Sequence, residues 1–287
     1  MQRPKYIDVN GIKTRYYEEG EGESLILMHG GQFASDGLAE DWEPNFDRFV
    51  KSFHVLAVDM LGQGFTGNPI QDKDYVIGST VKHIIGFLDI LGIDNAHLVG
   101  HSRGGYTALR LAMEHPKRAR SVVNVDSASF IQEVNEFYTD AQQKANQYKD
   151  PKDRIWHFTR ANSYADDHIT ESWVDAKYEV QQTSNHKDAV QKMEYLGKQF
   201  SKDIKERQLE CHEWVKEGRL KTPTLITWGY NDPSARWEPV GLKSLDLILP
   251  NNPDSQMVVF NKAGHYCYRE QPKAFVGAVA SFIEGLK

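Results

Sequence analysis

The chain has 287 residues, 40% of them hydrophobic, enough to bury one large core and leave room for a smaller appended unit. Its formal net charge is −6, with both signs dispersed, which argues against binding to nucleic acid because that needs a basic face. No uncharged run approaches the roughly 18 residues of a membrane-spanning helix, and the N-terminal stretch lacks the apolar segment of a secretory signal.

In chain order, "KYIDVNGIKTRYYEEG" predicts a hairpin, because Asn10-Gly11 supplies the positive φ angles of a tight turn. Short apolar runs follow: "SLILMHG", "HVLAVDM", "AHLVGHS", "SVVNVDS", "PTLITWG" and "SQMVVFN". Several are nearly continuous, as in strands covered on both faces. Between them, "STVKHIIGFLDILGI" sets Val81, Ile84, Ile85, Leu88, Ile90 and Leu91 along one broad helical face, and "GYTALRLAMEHP" ends before a proline. Strands alternating with helices predict an α/β fold with a mostly parallel twisted sheet flanked by helices.

The alternation fails over residues 129–218. That stretch is polar, yet it carries Phe130, Phe137, Tyr138, Trp156, Phe158, Trp173, Tyr178 and Trp214. Aromatics spaced through a polar helical segment suggest amphipathic helices that cover something, and the length exceeds an ordinary connection. An inserted helical cap over 129–218 is expected, on a core built from 1–128 and 219–287; a helical excursion that only packs on the core is the alternative.

Chemistry concentrates in four places. Gly100-His101-Ser102-Arg103-Gly104 is a G-x-S-x-G match with a strand before it and a helix after it, the context of a nucleophile held on a sharp turn. A serine needs a base, and the base needs a carboxylate to orient it. Gly264-His265 follows the last predicted strand, and Gly229-Tyr230-Asn231-Asp232 follows the strand before it. Asp126, at another strand end in "NVDSAS", is the alternative acid. Backbone N–H groups of Arg103 and of Gly31, in His29-Gly30-Gly31-Gln32, are positioned to meet an oxyanion. The Arg103 side chain is expected to leave the elbow for packing or for a core carboxylate. Cys211 and Cys267 form neither a disulfide framework nor a metal-ligand cluster, so a reducing cytoplasm is the expected compartment.

With these motifs in this order, the chain resembles the α/β-hydrolase superfamily over most of its length. "HVLAVDMLGQGFTGNP" resembles the corresponding stretch of meta-cleavage product hydrolases, the C–C bond hydrolases of aromatic degradation. "HITESWVDAKYEVQQ" is similar to their cap segment, in which an arginine followed by an aromatic binds the substrate carboxylate; Lys177 and Tyr178 stand at those positions. The chain departs from the pattern at Gln32 (usually a third glycine), His101 (asparagine), Arg103 (a bulky apolar residue) and Tyr266 (tryptophan). Lys177 keeps the cation without arginine's bidentate fork.

The resemblance implies hydrolysis of a vinylogous 1,5-diketone, an oxo-dienoic acid. Ser102 would be the nucleophile, His265 the acid–base and Asp232 its orienting partner, with Gly30, Gln32, His101, Lys177, Tyr178 and Tyr266 at the substrate. No metal or organic cofactor is implied, the partner is a small anionic molecule, neither nucleic acid nor membrane is expected, and a homodimer is left open. A carboxylesterase, lactonase or thioesterase with the same machinery is the nearest rival. A catalytically inert binding protein of the same fold is a more distant one.

Overall fold

The computed structural model describes residues 1–131 and 136–286; residues 132–135 of the expected cap segment, and Lys287, lie outside them. Eight strands form one sheet: β1 (Lys5–Val9), β2 (Ile12–Glu19), β3 (Ser24–Met28), β4 (His54–Val58), β5 (Ala96–His101), β6 (Ala119–Val125), β7 (Thr224–Gly229) and β8 (Ser255–Phe260). Their spatial order is β1-β2-β4-β3-β5-β6-β7-β8. β1 pairs antiparallel with β2 and β2 with β4, while β3 to β8 run parallel. The hairpin turns at Asn10 and Gly11, with φ of 54° and 86°, and the Asp8 carboxylate accepts the Gly11 N–H at 2.8 Å.

Ten α-helices accompany the strands among the described residues: α1 (Glu43–Phe49), α2 (Ile77–Ile90), α3 (Arg103–Glu114), α4 (Phe137–Ala145), α5 (Pro151–Ala161), α6 (Glu171–Gln182), α7 (Ser184–Lys216), α8 (Leu242–Ile248), α9 (Cys267–Glu270) and α10 (Pro272–Glu284). Alternation along the strands sends neighbouring side chains to opposite faces. Ile26, Leu56, Leu98 and Ile226 pack with α2, α3 and the second half of α7. Leu25, Val55, Val99 and Leu225 pack with α1 and α10. Both faces are covered, which is why the central strands read as continuous apolar runs.

In α2 the buried face is Val81, Ile84, Phe87 and Leu88, whereas Ile90 is exposed. Two residues beyond Leu88 is about 200° around the helix, so Ile90 faces solvent rather than joining the expected stripe.

Between β6 and β7, no strand occurs among the described residues, and α4 to α7 fill the stretch. Local chemistry starts these helices. Asp150 accepts the Lys152 N–H at 2.8 Å ahead of Pro151, Thr170 accepts from Trp173 at 3.3 Å, and Thr183 accepts from His186 at 3.1 Å. The stripe Ala189, Leu196, Phe200, Ile204, Gln208, Cys211 and Val215 then carries α7 onto the body of the protein. There Arg110 of α3 donates to the Arg207 carbonyl and pairs with Glu210. No helix of the described residues is long and apolar enough to cross a membrane.

Candidate active site

β5 ends at His101 and α3 begins at Arg103, so the chain turns on Ser102 alone, at φ 51° and ψ −116°. A non-glycine residue holds such a conformation only where its surroundings over-determine it. Here the Ser102 N–H donates to the Val125 carbonyl at 2.7 Å, and its carbonyl accepts from Ser127 Oγ at 2.6 Å. Gly104 is required by close approach, since a Cβ there would lie 2.5 Å from the carbonyl oxygens of both His29 and Met28. The turn thus presses against the end of β3, beside Gly30 and Gly31.

Asp232 follows β7 and His265 follows β8, and the parallel sheet delivers both to the edge where Ser102 stands. His265 Nδ1 lies 2.6 Å from Asp232 Oδ2. The other carboxylate oxygen accepts from the Ser234 N–H at 2.8 Å, the Ser234 hydroxyl at 3.0 Å and the Ala235 N–H at 2.7 Å, which fixes its orientation. Asp126 occupies a different position: it accepts the Gly229 N–H at 2.6 Å and lies beside the Cys267 thiol. Burial and the neighbouring Asp232 charge push its carboxyl well above the ordinary carboxylate range.

A cavity of about 390 Å³ lies over Ser102, and His265 and Ser234 also border it. Gly30, Gly31, Gln32, His101, Arg103, Lys177 and Tyr266 are on its wall, as are Tyr138, Phe158 and Asn162 from the helices between β6 and β7. The Gly31 backbone, at φ +92°, faces the same space. Arg103 opens α3, so its N–H has no carbonyl one turn back to satisfy it.

Three expected contacts are placed differently. His101 reaches the wall, but its ring is buried: Nε2 donates to the His265 carbonyl at 2.8 Å, and the Tyr268 hydroxyl lies 3.4 Å from Nδ1. Burial, with the His265 ring beside it, holds this imidazole well below its ordinary pKa, so it braces the His265 loop as a neutral group. Tyr178 does not border the cavity; its ring lies under Lys152, 5.7 Å from the ammonium. Tyr178 lies about 100° further round α6 than Lys177, and here that turn carries it off the cavity wall. Lys177 does face inward, yet its ammonium is bonded to Asp41 at 3.2 Å and Asp36 at 3.5 Å. The Arg103 side chain, expected to pack or to meet a core carboxylate, packs beside the cavity: Nη2 lies 3.4 Å from Gln32 Oε1, and the guanidinium is over the Phe200 ring.

Other residues at the site had no part in the motifs. The Tyr138 hydroxyl lies 3.4 Å from His265 Nε2 and 3.2 Å from Ser234 Oγ, and Asn162 Nδ2 donates to it at 3.5 Å. Glu270 joins the α5–α6 loop to the histidine loop, its carboxylate accepting the N–H groups of Gly264 (2.7 Å), Tyr164 (2.9 Å) and Ala165 (3.0 Å). Ser234 was open to inference as the residue two beyond the acid, where a hydroxyl commonly bonds back. Asn162 and Glu270 gave no local signal.

A serine on a strained strand-to-helix turn, a histidine–carboxylate pair at the next strand ends and a covering set of helices define an α/β-fold hydrolase. The chain belongs to the alpha/beta hydrolase fold family, whose pattern it matches over residues 23–272. Within it, the chain is 26% identical to the 2-hydroxy-6-oxo-6-(2'-aminophenyl)hexa-2,4-dienoic acid hydrolase of Metapseudomonas resinovorans over 281 residues, covering 97% of this chain and 90% of the relative. It is also 26% identical to the 2-hydroxy-6-oxononadienedioate/2-hydroxy-6-oxononatrienedioate hydrolase of Comamonas testosteroni, covering 97% and 96%. The crystal structure of a serine hydrolase involved in carbazole degradation superposes with a TM-score of 0.78 at 25% identity, covering 98% of both chains. The protein is thus an α/β hydrolase that resembles the meta-cleavage product hydrolases.

Proposed function

We propose that the protein hydrolyses a C–C bond in a 2-hydroxy-6-oxo-dienoic acid or a closely similar vinylogous diketone, through Ser102, His265 and Asp232. The observation that carries this reading is that His265, paired with Asp232 at 2.6 Å, borders the same cavity as the strained Ser102. The relatives that act on such acids support the choice of bond.

A carbanion is a poor leaving group unless its electron pair can be delocalised. The dienol therefore ketonises first, moving its hydroxyl proton to the carbon next to the distal carbonyl. Ser102 Oγ then bonds to that carbonyl while its proton passes to His265 Nε2, and Asp232 holds the ring and its developing charge. The N–H groups of Gly31 and Arg103 receive the oxyanion. Collapse breaks the C–C bond, its electron pair enters the departing half as a dienolate, and His265 returns the proton to that half. Water, deprotonated by His265, then frees the acid from Ser102. The aromatic walls keep the oxyanion away from bulk water, where its hydrogen bonds would be weaker.

The test is turnover of a panel of ring-fission oxo-dienoic acids set against p-nitrophenyl esters of matched size. Cleavage of the dienoates into a carboxylic acid and a 2-hydroxydienoate supports the reading. Efficient ester turnover with no dienoate cleavage would leave a general esterase in its place.

A further inference from the structure

Two cations border the cavity, and their surroundings differ. The Lys177 ammonium lies 3.2 Å from Asp41 and 3.5 Å from Asp36, and it also donates to the Asp36 carbonyl at 3.3 Å. Both acids are held in turn: Gln181 donates to the second Asp36 oxygen at 2.8 Å, and Trp173 Nε1 donates to Asp41 at 2.7 Å. Burial alone would lower the Lys177 pKa, but Asp41 and Asp36 outweigh it and leave the group raised. On the same side Arg269 stacks on Trp173 at 3.7 Å and donates to the Glu40 and Asp41 carbonyls. Two carboxylates already answer the Lys177 ammonium, so an incoming carboxylate would have to displace Asp36 or Asp41.

Arg103 stands on the opposite terms. Among the described residues its guanidinium has no carboxylate partner; its contacts are Gln32 Oε1 at 3.4 Å and the face of Phe200 at 5.4 Å. Burial pulls its pKa below the ordinary arginine value, against the opposing hydroxyls of Tyr138 and Tyr106. A half-buried guanidinium on the cavity wall, given one long neutral hydrogen bond, keeps donors free for an acceptor that enters the cavity. An anion suits those donors, and the guanidinium's planar fork matches a carboxylate with two parallel N–H donors.

We infer that the Arg103 guanidinium, and not the Lys177 ammonium, binds the carboxylate of the substrate, an inference that rests on the oxo-dienoic acid reading of this site. The charged end of the substrate then lies on the Gln32–Phe200 side of the cavity, beside the nucleophile. Lys177 acts as a tie between the covering helix α6 and the loop after β3.

The probes are sorbate (2,4-hexadienoate) and its neutral amide, with each dissociation constant measured by calorimetry on the full chain. Wild type should bind sorbate about tenfold or more tighter than the amide. Arg103→Met should bring the two constants together, Arg103→Lys should keep part of the preference in a variant that retains the charge, and Lys177→Met should keep all of it. The inference is overturned if wild type shows no preference, if the preference survives in Arg103→Met, or if it vanishes in Lys177→Met. If the Arg103-dependent preference appears in an enzyme that cleaves no oxo-dienoate, the C–C hydrolase reading falls and the anion site stands. If dienoates are cleaved and Arg103→Met still discriminates, the anion site alone falls.

Discussion

At the scale of single residues, Asp232 and Asp126 separate cleanly because only Asp232 touches His265. Asp232→Asn should preserve the fold and lower kcat by about 10³- to 10⁴-fold, since an amide favours the wrong imidazole tautomer. Asp126→Asn keeps an acceptor for the Gly229 N–H and should change kcat/KM by no more than about threefold, the scale of a weakened neutral hydrogen bond. Steady-state kinetics of the two variants decide the matter, and the reverse ranking would transfer the role to Asp126. His168 is a second case. Burial, then the charges of Arg269 and Arg160, lower its pKa from 6.5 to about 3. The native ring stays neutral at acidities that protonate it in the unfolded chain, so its contribution is complete above pH 6.5 and is lost as pH falls toward the native value. His168→Gln keeps a donor toward Ser163 and removes this titration. Between pH 6 and 4, the folding equilibrium of wild type should fall about tenfold more per pH unit than that of the variant. Urea unfolding across that range checks it; parallel losses would contradict the assignment.

At the scale of elements, the histidine loop and the α5–α6 loop act as one unit. Glu270 accepts three backbone N–H groups across them, and the His265 N–H donates to the Asn162 carbonyl at 2.9 Å. Glu270→Ala leaves those donors unanswered in a half-buried site and should cost about 3 kcal/mol of stability, with a lower kcat as His265 loses its support. Denaturant titration showing a loss below about 1 kcal/mol would mean that the loops hold together without it. The strand-end positions of Ser102, Asp232 and His265 were legible in the sequence because a parallel sheet brings the C-terminal ends of its strands to one edge. The state of Lys177 was not. Its partners come from the loop after β3, with Asp36 lying 141 residues earlier in the chain, and no local pattern joins a helix to that loop. Gln32 and Arg103 were each visible as departures from the family pattern; that they meet at 3.4 Å is a fact of the fold alone.

At the scale of the whole molecule, the net charge of −6 opposes the approach of a dianionic or monoanionic acid over distances longer than the cavity. Raising ionic strength from about 10 to 150 mM shortens the screening length severalfold, so kcat/KM for an oxo-dienoate should rise modestly while that for a neutral ester stays level. A fall for the acid would show that the local cation governs approach as well as binding. The helices over the sheet edge matter at this scale too, because their Tyr138 and Phe158 side chains border the space in which the oxyanion must form. The proposed breaking of a C–C bond by Ser102, beneath those helices, is read from kcat for a 2-hydroxy-6-oxo-dienoate, followed by loss of its absorbance, in wild type and in Ser102→Ala. Wild type should consume the acid with equimolar release of a carboxylic acid and a 2-hydroxydienoate, and Ser102→Ala should be slower by about 10³-fold or more. Equal rates in the two proteins, or no consumption by wild type, would contradict the account.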